Sequence, residues 1–211
     1  MSLESRSSLM RPAAIVLCGG ESRRMGRCKA WLRFGPEFLL QRVVRLVATV
    51  AHPIVVVAAP GQDLPDLAGD VTILRDTVAG RGPLQGLATG LSGLPESSTF
   101  VYATATDVPF LEPGWITRLC ELSEDNDLVM PFVGGYYHPL AALYRRNTVL
   151  RAVEAQLHDD RRNLVFLVEA VETRVVGEAE LRAVDPELKT LCNLNFPEDY
   201  ERALRAAGFD N

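Results

Sequence analysis

The stretch of residues 14–29, AIVLCGGESRRMGRCK, joins an apolar run to a loop of glycines and basic side chains. The run from Ala13 to Cys18 is short and rich in aliphatic residues, which is typical of a buried parallel strand. It ends at Gly19-Gly20, where the missing Cβ atoms let the backbone turn and let a ligand approach main-chain N–H groups. Positive charges follow, among them Arg23, Arg24 and Lys29. This combination predicts a polyphosphate-binding loop, although a strand followed by two glycines is also an ordinary turn in α/β proteins.

Length and composition fit one globular domain. The 211 residues are 47% hydrophobic and 23% charged, and the formal net charge is -5 at pH 7. An acidic balance argues against a nucleic-acid or anionic-membrane partner, because such binders usually carry a basic excess. The polar residues 1–12 lack the apolar core of a signal peptide, and no apolar run is long enough to span a bilayer. We therefore expect a disordered leader over 1–12, a single domain over 13–211 and a cytoplasmic location.

Four cysteines are dispersed along the chain, at positions 18, 28, 120 and 192. They form no CxxC pair and have no histidine at zinc-finger spacing, so the sequence predicts neither a structural metal site nor a disulfide framework. Cys28 stands among basic residues, but a tolerated loop thiol is a simpler interpretation than a catalytic one.

Apolar runs of strand length alternate with helically spaced apolar residues in the first half of the chain. Strands are predicted at 13–18, 54–57, 71–74 and 99–106, and helices at 39–50, from Pro83 and around 115–122. This alternation predicts an α/β fold whose mainly parallel sheet is covered on both faces.

The second half of the chain is less regular. Strands are predicted at 127–132, 137–144 and 174–176, and helices at 149–157, 163–171 and 198–207. The Gly134-Gly135 turn between the first two strands suits a hairpin, so we expect one antiparallel strand beside the parallel set. The stretches 63–69 and 178–188 are interpreted as surface connections.

Three polar features follow predicted parallel strands, namely the loop 19–29, Asp76 and Asp107. Open parallel sheets bind ligands outside the carboxyl ends of their strands, so we expect these features to converge. A carboxylate beside phosphates needs an intervening cation, and Mg2+ prefers oxygen ligands from one or two carboxylates, phosphate and water. Asp107 is the first candidate for that ligand, although either aspartate taken alone could equally cap a turn.

The glycine-rich stretch closely resembles a signature of the nucleotidyltransferases of the molybdenum cofactor guanylyltransferase (MobA) type and of their sugar-nucleotide pyrophosphorylase relatives. In that signature the first strand runs into L-x-G-G-x-S-x-R-M-G-x-x-K. The matching residues are Leu17, Gly19, Gly20, Ser22, Arg24, Met25, Gly26 and Lys29. The resemblance covers nearly all of residues 13–207, and it implies a three-layer Rossmann-like nucleotidyltransferase fold.

Further motifs resemble the nucleotide side of that family. Asp107-Val108-Pro109 is similar to a D-x-P motif whose aspartate coordinates magnesium, and Arg75-Asp76 with the following Gly82-Pro83-Leu84-Gln85-Gly86 is similar to an element that contacts the nucleotide and frames the base. The resemblance implies that Mg2+ binds at Asp107 and that Lys29, Asp107 and Arg24 are catalytic. It implies nucleotide contacts for Leu17, Cys18, Gly19, Gly20, Lys29, Asp76, Gly82, Leu84, Gly86 and Asp107.

The acceptor side resembles the molybdenum cofactor branch. Asn193 and Asn195 lie in a segment similar to N-x-N-x-P-E-D, which is associated with the pterin, and His138, Arg161 and Arg162 recur at corresponding places. The resemblance implies that these five residues bind the pterin. On their own, the asparagines could be turn and cap residues, the histidine a core residue and the arginines surface charge.

The resemblance implies transfer of GMP from MgGTP to the phosphate of molybdopterin, with release of pyrophosphate. Gly19-Gly20 and the G-P-L-x-G loop look like the guanylyl pattern. Two departures are Cys28, where the family commonly has Asp, and 57–60, which lacks an Asn that often touches the nucleotide. The alternatives are a cytidylyl or sugar-1-phosphate nucleotidyltransferase and a non-catalytic nucleotide or pterin adaptor. Expected partners are GTP, molybdopterin and molybdenum-insertion or molybdoenzyme-maturation proteins, with no nucleic acid and no membrane.

Overall fold

The computed structural model describes residues 11–19, 25, 27–76 and 82–209 of the chain. The strands in this part are β1 (Ala13–Leu17), β2 (Arg33–Phe34), β3 (Glu37–Phe38), β4 (Ile54–Ala58), β5 (Val71–Arg75), β6 (Phe100–Ala105), β7 (Leu128–Val133), β8 (Tyr136–Tyr137), β9 (Ala141–Arg145) and β10 (Thr173–Gly177). The α-helices are α1 (Leu39–Ala48), α2 (Pro83–Gly93), α3 (Pro113–Glu121), α4 (Arg146–His158), α5 (Leu167–Ala170), α6 (Glu178–Arg182) and α7 (Pro197–Ala206).

The main sheet has the strand order β10-β7-β9-β6-β1-β4-β5, and β8 pairs with β7. β1 lies in the middle and is parallel to both neighbours, so that Ile15 is opposite Val55 of β4 and Ala103 of β6. β9 is antiparallel to β6 and β7, whereas β7 and β10 are parallel to each other. The predicted α/β fold with a mainly parallel sheet and one reversed strand is confirmed. The short β8 adds a third antiparallel pairing to this sheet, at the hairpin predicted around Gly134-Gly135.

Helices cover both faces of this sheet because successive side chains of each strand point to opposite sides. In β1, Ala14 and Val16 pack into the cluster that contains the apolar residues of α1, α3 and α6, whereas Ile15 packs against α2, α4 and α5. A third, smaller cluster joins the β2–β3 segment to α7 through Phe34 and Leu204. The arrangement is the predicted three-layer architecture.

Helix α2 approaches the sheet closely because glycines face it. An ideal Cβ at Gly90 would lie 2.7 Å from Ile15 Cδ1, and one at Gly93 would lie 2.1 Å from Leu74 Cδ1. Both distances are shorter than a van der Waals contact, so the helix could not sit at this depth with larger residues there. This close packing places the N-terminus of α2 beside the ends of β1 and β5.

Two predicted boundaries are wrong. The strand expected at 137–144 is interrupted at 138–140, because Pro139 has no N–H for a ladder and Ala141 N instead donates to His138 O over 3.0 Å. The stretch 178–188, expected as a surface connection, contains α6, whose Leu181 is fully buried. A single helical turn presents one apolar residue to the core, which is too little for a periodic pattern to reveal.

The described helices include none long and apolar enough to cross a membrane. Residues 1–10 of the predicted leader lie outside the described residues. Its last two residues contact the domain, since Arg11 Nη2 donates to Ala48 O over 2.9 Å and Pro12 O accepts from His52 N over 2.8 Å.

Candidate active site

The carboxyl ends of β1 and β6 are tied together at the centre of the sheet. Leu17 O accepts hydrogen bonds from both the backbone N–H and the Oγ1 hydroxyl of Thr106, each over 3.1 Å. Thr106 is buried and directly precedes Asp107. The two bonds therefore fix the aspartate beside the start of the glycine-rich loop.

Lys29 and Asp107 form an ion pair at this edge. Lys29 Nζ lies 2.6 Å from Asp107 Oδ2, and the two side chains are 21% and 13% exposed. Lys29 opens a short 3-10 turn that leads into the β2–β3 segment, so the far end of the loop returns to the sheet at this point. The partial burial makes the pair stronger than a surface salt bridge, because water screens it less.

The other carboxylate oxygen of Asp107 is buried and has no hydrogen-bond partner among the described residues. Burying an unpaired anionic oxygen is unfavourable unless a cation or donor reaches it. A hard, anionic oxygen beside an expected phosphate site is the donor that a divalent cation such as Mg2+ prefers. The carboxylate therefore fits a metal on Oδ1 while Oδ2 holds Lys29.

Asp76 lies beside the same edge, at the end of β5. Its backbone N–H donates to Ala58 O over 2.9 Å, and its Oδ1 accepts from Thr89 Oγ1 over 2.7 Å. Oδ2 would lie 3.8 Å from a Cβ placed on Gly86. Asp76 is thus held between β4 and α2, with one oxygen tied to the helix.

The predicted base-framing residues form the first turn of α2. Gly82 caps the helix with φ +79, a left-handed conformation that favours glycine, and Pro83 follows at the first helical position. Leu84 is fully buried, and a Cβ at Gly86 would approach Leu17 Cδ2 to 3.0 Å. These last two residues pack the helix against β1, so any contact from them to a nucleotide stays a prediction.

Five residues named for the phosphate loop and its signature lie outside the described residues, namely Gly20, Ser22, Arg23, Arg24 and Gly26. Gly19 is described, and its Cα faces the end of β4, where a Cβ would lie 3.5 Å from Ala59 N. Cys18 is buried, and burial raises the pKa of its thiol to about 11. The thiol is therefore neutral near pH 7 and brings no negative charge to a site expected to hold phosphates.

A cleft of about 690 Å³ opens beside the N-terminus of α2. Its lining includes Pro83, Pro139, Leu140, Arg161, Arg162 and Phe166. Two of the predicted pterin-binding residues thus share one cavity. Arg162 donates twice to Asp160 Oδ1, over 2.9 and 2.7 Å, whereas the Arg161 guanidinium has no partner within the described chain.

The other predicted acceptor residues are placed differently. His138 is half-buried next to the cleft residue Pro139, and its Nε2 lies 3.3 Å from Val133 O. Asn193 and Asn195 flank Leu194, whose N–H donates to Asp107 O over 3.0 Å. The structure therefore brings the asparagines to the aspartate and the arginines to the cleft, and no described hydrogen bond joins the two groups.

Residues 14–174 match the MobA-like NTP transferase domain family. The chain belongs to this family. A protein from Mycobacterium avium described as "Probable molybdenum cofactor guanylyltransferase" is 36% identical over 203 residues, which are 94% of this chain and 97% of the relative. A protein from Pelotomaculum thermopropionicum with the same description is 30% identical over 195 residues, 92% and 93% of the two chains.

Solved structures share the MobA-like fold. Molybdopterin-guanine dinucleotide biosynthesis protein A from Archaeoglobus fulgidus superposes with a TM-score of 0.76 at 22% identity, over 93% of this chain and 98% of that one. A 2-C-methyl-D-erythritol 4-phosphate cytidylyltransferase from Thermus thermophilus gives 0.71 at 16% identity, over 94% and 100%. The same scaffold thus carries enzymes named for different bases, and the fold alone does not choose between them.

Two residues of this MobA-like site escape motif-based reasoning. Thr106 looks like one more residue of a strand, and its role follows only from the hydrogen bonds that it donates to Leu17. Gln62 contacts Cys18 and Cys28 at the two ends of the phosphate loop, but it stands just before a stretch interpreted as a surface connection. The preceding Pro60-Gly61 is a turn signal that could have drawn attention to it.

Proposed function

We propose that this protein transfers GMP from MgGTP to the terminal phosphate of molybdopterin, forming the guanine dinucleotide and releasing pyrophosphate. The observation that supports the reaction class is the environment of the Asp107 carboxylate: one oxygen holds Lys29, and the other is buried without a partner among the described residues. The choice of guanine and of molybdopterin is supported by the names of relatives that match the chain over more than nine-tenths of its length.

The reaction needs positioning and charge neutralisation more than proton transfer. An oxygen of the acceptor phosphate, already anionic, forms a bond to the α-phosphorus of GTP. The bond between that phosphorus and the bridging oxygen breaks, and the electron pair leaves with pyrophosphate. Because the attacking oxygen carries no proton at neutral pH, no serine, cysteine or histidine nucleophile and no strong general base is required.

Lys29 is the residue suited to hold the triphosphate. Its ammonium group has three N–H donors, and the bond to Asp107 Oδ2 uses one of them. Two donors thus remain for phosphate oxygens without breaking the ion pair. Backbone N–H groups at Gly19 and Gly20, together with Arg24, are proposed to complete the phosphate site.

Asp107 is the residue suited to hold a divalent metal, which we propose to be Mg2+. When bound, the ion would neutralise charge on the α-phosphate and on the leaving group. Asp107 would contribute its free Oδ1, and phosphate and water would supply the remaining ligands. The ion pair with Lys29 fixes the rotamer of the carboxylate.

The acceptor is proposed to reach Asp107 from the side of Asn193 and Asn195 and to extend to the cleft with Arg161 and Arg162. Arginines suit this task because a guanidinium can pair with an anionic oxygen through two parallel hydrogen bonds. Because the Arg161 guanidinium has no partner within the described chain, it can bind without breaking an internal contact.

The four free cysteines of the described chain support the cytoplasm as the working compartment.

The deciding experiment measures pyrophosphate release from GTP, CTP, UTP and ATP separately, each with Mg2+ and with or without molybdopterin. The proposal expects turnover that is selective for GTP and that disappears without the pterin. Selective turnover of CTP or UTP would assign the protein to a cytidylyl or sugar-1-phosphate branch instead. Tight nucleotide binding without turnover in the presence of molybdopterin would favour the adaptor alternative.

A further inference from the structure

We propose that Gln62 is a positioning residue for the nucleotidyl-transfer site, and that its carboxamide places Lys29 by holding both ends of the phosphate loop. The kinetic consequence rests on the proposed function, whereas the placement of Lys29 rests on the geometry of described residues. Gln62 belongs to none of the motifs by which the chain resembles its family, and it lies between β4 and β5, outside the predicted site.

The carboxamide of Gln62 contacts the residues at both ends of the loop. Its Nε2 lies 3.0 Å from Cys18 O, 3.4 Å from Cys28 Sγ and 3.6 Å from Cys18 Sγ. The amide has two hydrogens, so one can bond the carbonyl while the other is shared by the sulfurs, which are weak acceptors. One side chain therefore bridges the residue before Gly19 and the residue before Lys29.

The turn that carries Gln62 keeps this carboxamide in a fixed place. Gln62 N donates to Ala59 O over 3.2 Å, and Pro60 followed by Gly61 with φ +67 is the pattern of a type II β-turn. Arg75 Nη1 donates to the carbonyls of both Ala59 and Gln62 and thereby braces the turn from the end of β5.

A second hydrogen bond determines which way the carboxamide points. Its Oε1 accepts from Ala59 N over 3.0 Å, while Nε2 faces Cys18 O. If the amide were flipped, its oxygen would face a carbonyl and its NH2 group would face an N–H, so both contacts would be lost. The donor is therefore directed at the phosphate loop.

The position of Cys28 determines that of Lys29, because the two residues are adjacent in the chain. Cys28 precedes the turn Lys29–Trp31, and its carbonyl accepts from Trp31 N over 3.1 Å. Lys29 in turn reaches Asp107 Oδ2 over 2.6 Å. Because a shift of about 1 Å in a positioned group can cost on the order of 100-fold in rate, the anchor of Cys28 matters for catalysis.

The test compares Gln62→Glu with the matched control Gln41→Glu. Glutamate has the shape of glutamine and can still accept from Ala59 N, but it donates nothing to the loop and opposes the Cys18 carbonyl. Gln41 makes the same kind of bridge elsewhere, since Oε1 accepts from Phe38 N over 2.9 Å and Nε2 donates to Asp66 O over 2.8 Å. Neither bond reaches Lys29 or Asp107.

Lysine labelling provides a readout that does not depend on activity. The sequence contains two lysines, Lys29 and Lys189, so limiting acetic anhydride followed by peptide mass spectrometry compares one site with an internal standard. We expect Gln62→Glu to raise the Lys29-to-Lys189 labelling ratio by about threefold or more, because the partly buried pair opens more often. Gln41→Glu should leave the ratio unchanged. An unchanged ratio in folded Gln62→Glu would overturn the proposal.

Kinetics then test the catalytic consequence. In Gln62→Glu, kcat for GTP should fall by about 10- to 100-fold with a smaller change in KM, since a displaced Lys29 loses transition-state contacts first. Its melting temperature should change no more than that of Gln41→Glu. A changed labelling ratio with wild-type kcat would overturn the catalytic role of Gln62. Absence of turnover in the wild type would instead overturn the proposed function, while the labelling ratio would still decide whether Gln62 places Lys29.

Discussion

The two oxygens of Asp107 have different environments, and this difference is the chief residue-scale feature of the site. Oδ2 accepts from Lys29, whereas Oδ1 is buried without a described partner. A carboxylate whose only task was to anchor the lysine would gain from a donor on both oxygens. The unpaired oxygen therefore supports the proposal that a cation or a donor reaches Oδ1 in the substrate complex.

Asp107→Asn tests that proposal while preserving the shape of the side chain. We expect kcat/KM for GTP to fall by about 100- to 1000-fold, because one preorganised charge contact is lost. In Lys29→Ala, kcat/KM should fall by a similar factor for the same reason. The measurement is pyrophosphate release, accompanied by a thermal melt. The control is Asp127→Asn, which breaks the Arg145 ion pair of 3.0 Å away from the site and should leave turnover unchanged. Near-wild-type turnover in Asp107→Asn would contradict the assignment.

Residue-scale prediction succeeded where chain order alone decides position. The carboxyl ends of neighbouring parallel strands must meet, so the contact between the Lys29 loop and Asp107 could be predicted from sequence. The contacts of Gln62 could not, because they depend on the direction in which a side chain leaves a β-turn. The sequence also did not predict that Asn193 lies near Asp107 whereas Arg161 lies in the cleft, because the motifs do not show which part of the sheet edge each segment contacts.

At the scale of elements, the packing of α2 on β1 depends on the absence of a side chain at Gly90. A Cβ there would lie 2.7 to 2.8 Å from three carbons of Ile15, which is fully buried and β-branched. Ile15 has little freedom to move aside, because its rotamers are restricted and its other neighbours are also close-packed.

Gly90→Ala should therefore destabilise the protein despite the higher helix propensity of alanine. Overpacking typically costs about 1–3 kcal/mol, and the propensity gain of up to about 1 kcal/mol offsets only part of it. Urea unfolding gives the free energy of unfolding, and Ser92→Ala, exposed in the same helix, supplies the propensity effect alone. The double variant Ile15→Ala with Gly90→Ala should relieve the added clash. Equal stabilisation by Gly90→Ala and Ser92→Ala would contradict this account of the packing.

Elements with a long apolar pattern could be predicted from sequence, and short ones could not. β1 and β4 lie close to their predicted bounds because each is a continuous run of five buried residues, and α1 does so because its five buried residues recur at helical spacing. The break before β9 follows from the missing N–H of Pro139, a single-residue effect inside an otherwise strand-like run. α6 is specified by Leu181 and by the Glu180 side chain that accepts from Gly177 N over 3.4 Å.

At the scale of the whole molecule, one sheet joins the N-terminal half of the domain, with β1 to β6, to the C-terminal half, with β7 to β10. β6 and β9 pair across the middle, and Trp115 Nε1 of α3 donates to Ala141 O of β9 over 2.9 Å. Because the halves share a core on both faces of the sheet, neither can unfold without exposing the apolar surface of the other.

We therefore predict a single unfolding transition. The chain has two tryptophans, Trp31 and Trp115, so Trp31→Phe leaves only the buried one as a fluorescent probe of the core. The midpoint from Trp115 fluorescence should coincide with that from far-UV circular dichroism. MgGTP at 100 times its Kd should raise the free energy of unfolding by about 2.7 kcal/mol with either probe, as mass action requires. Two separated midpoints would show that the halves are independent domains.

The reversed direction of β9 has a consequence for how such an enzyme can diversify. The chain enters β9 from Pro139 and Leu140, and α4 carries it back to Arg161, so most of the cleft lining belongs to one strand-and-helix excursion, with Pro83 of α2 completing it. The residues proposed to bind phosphate and metal precede this excursion, within residues 13–109. A redesigned excursion should therefore change the acceptor while the residues proposed to activate the nucleotide stay as they are.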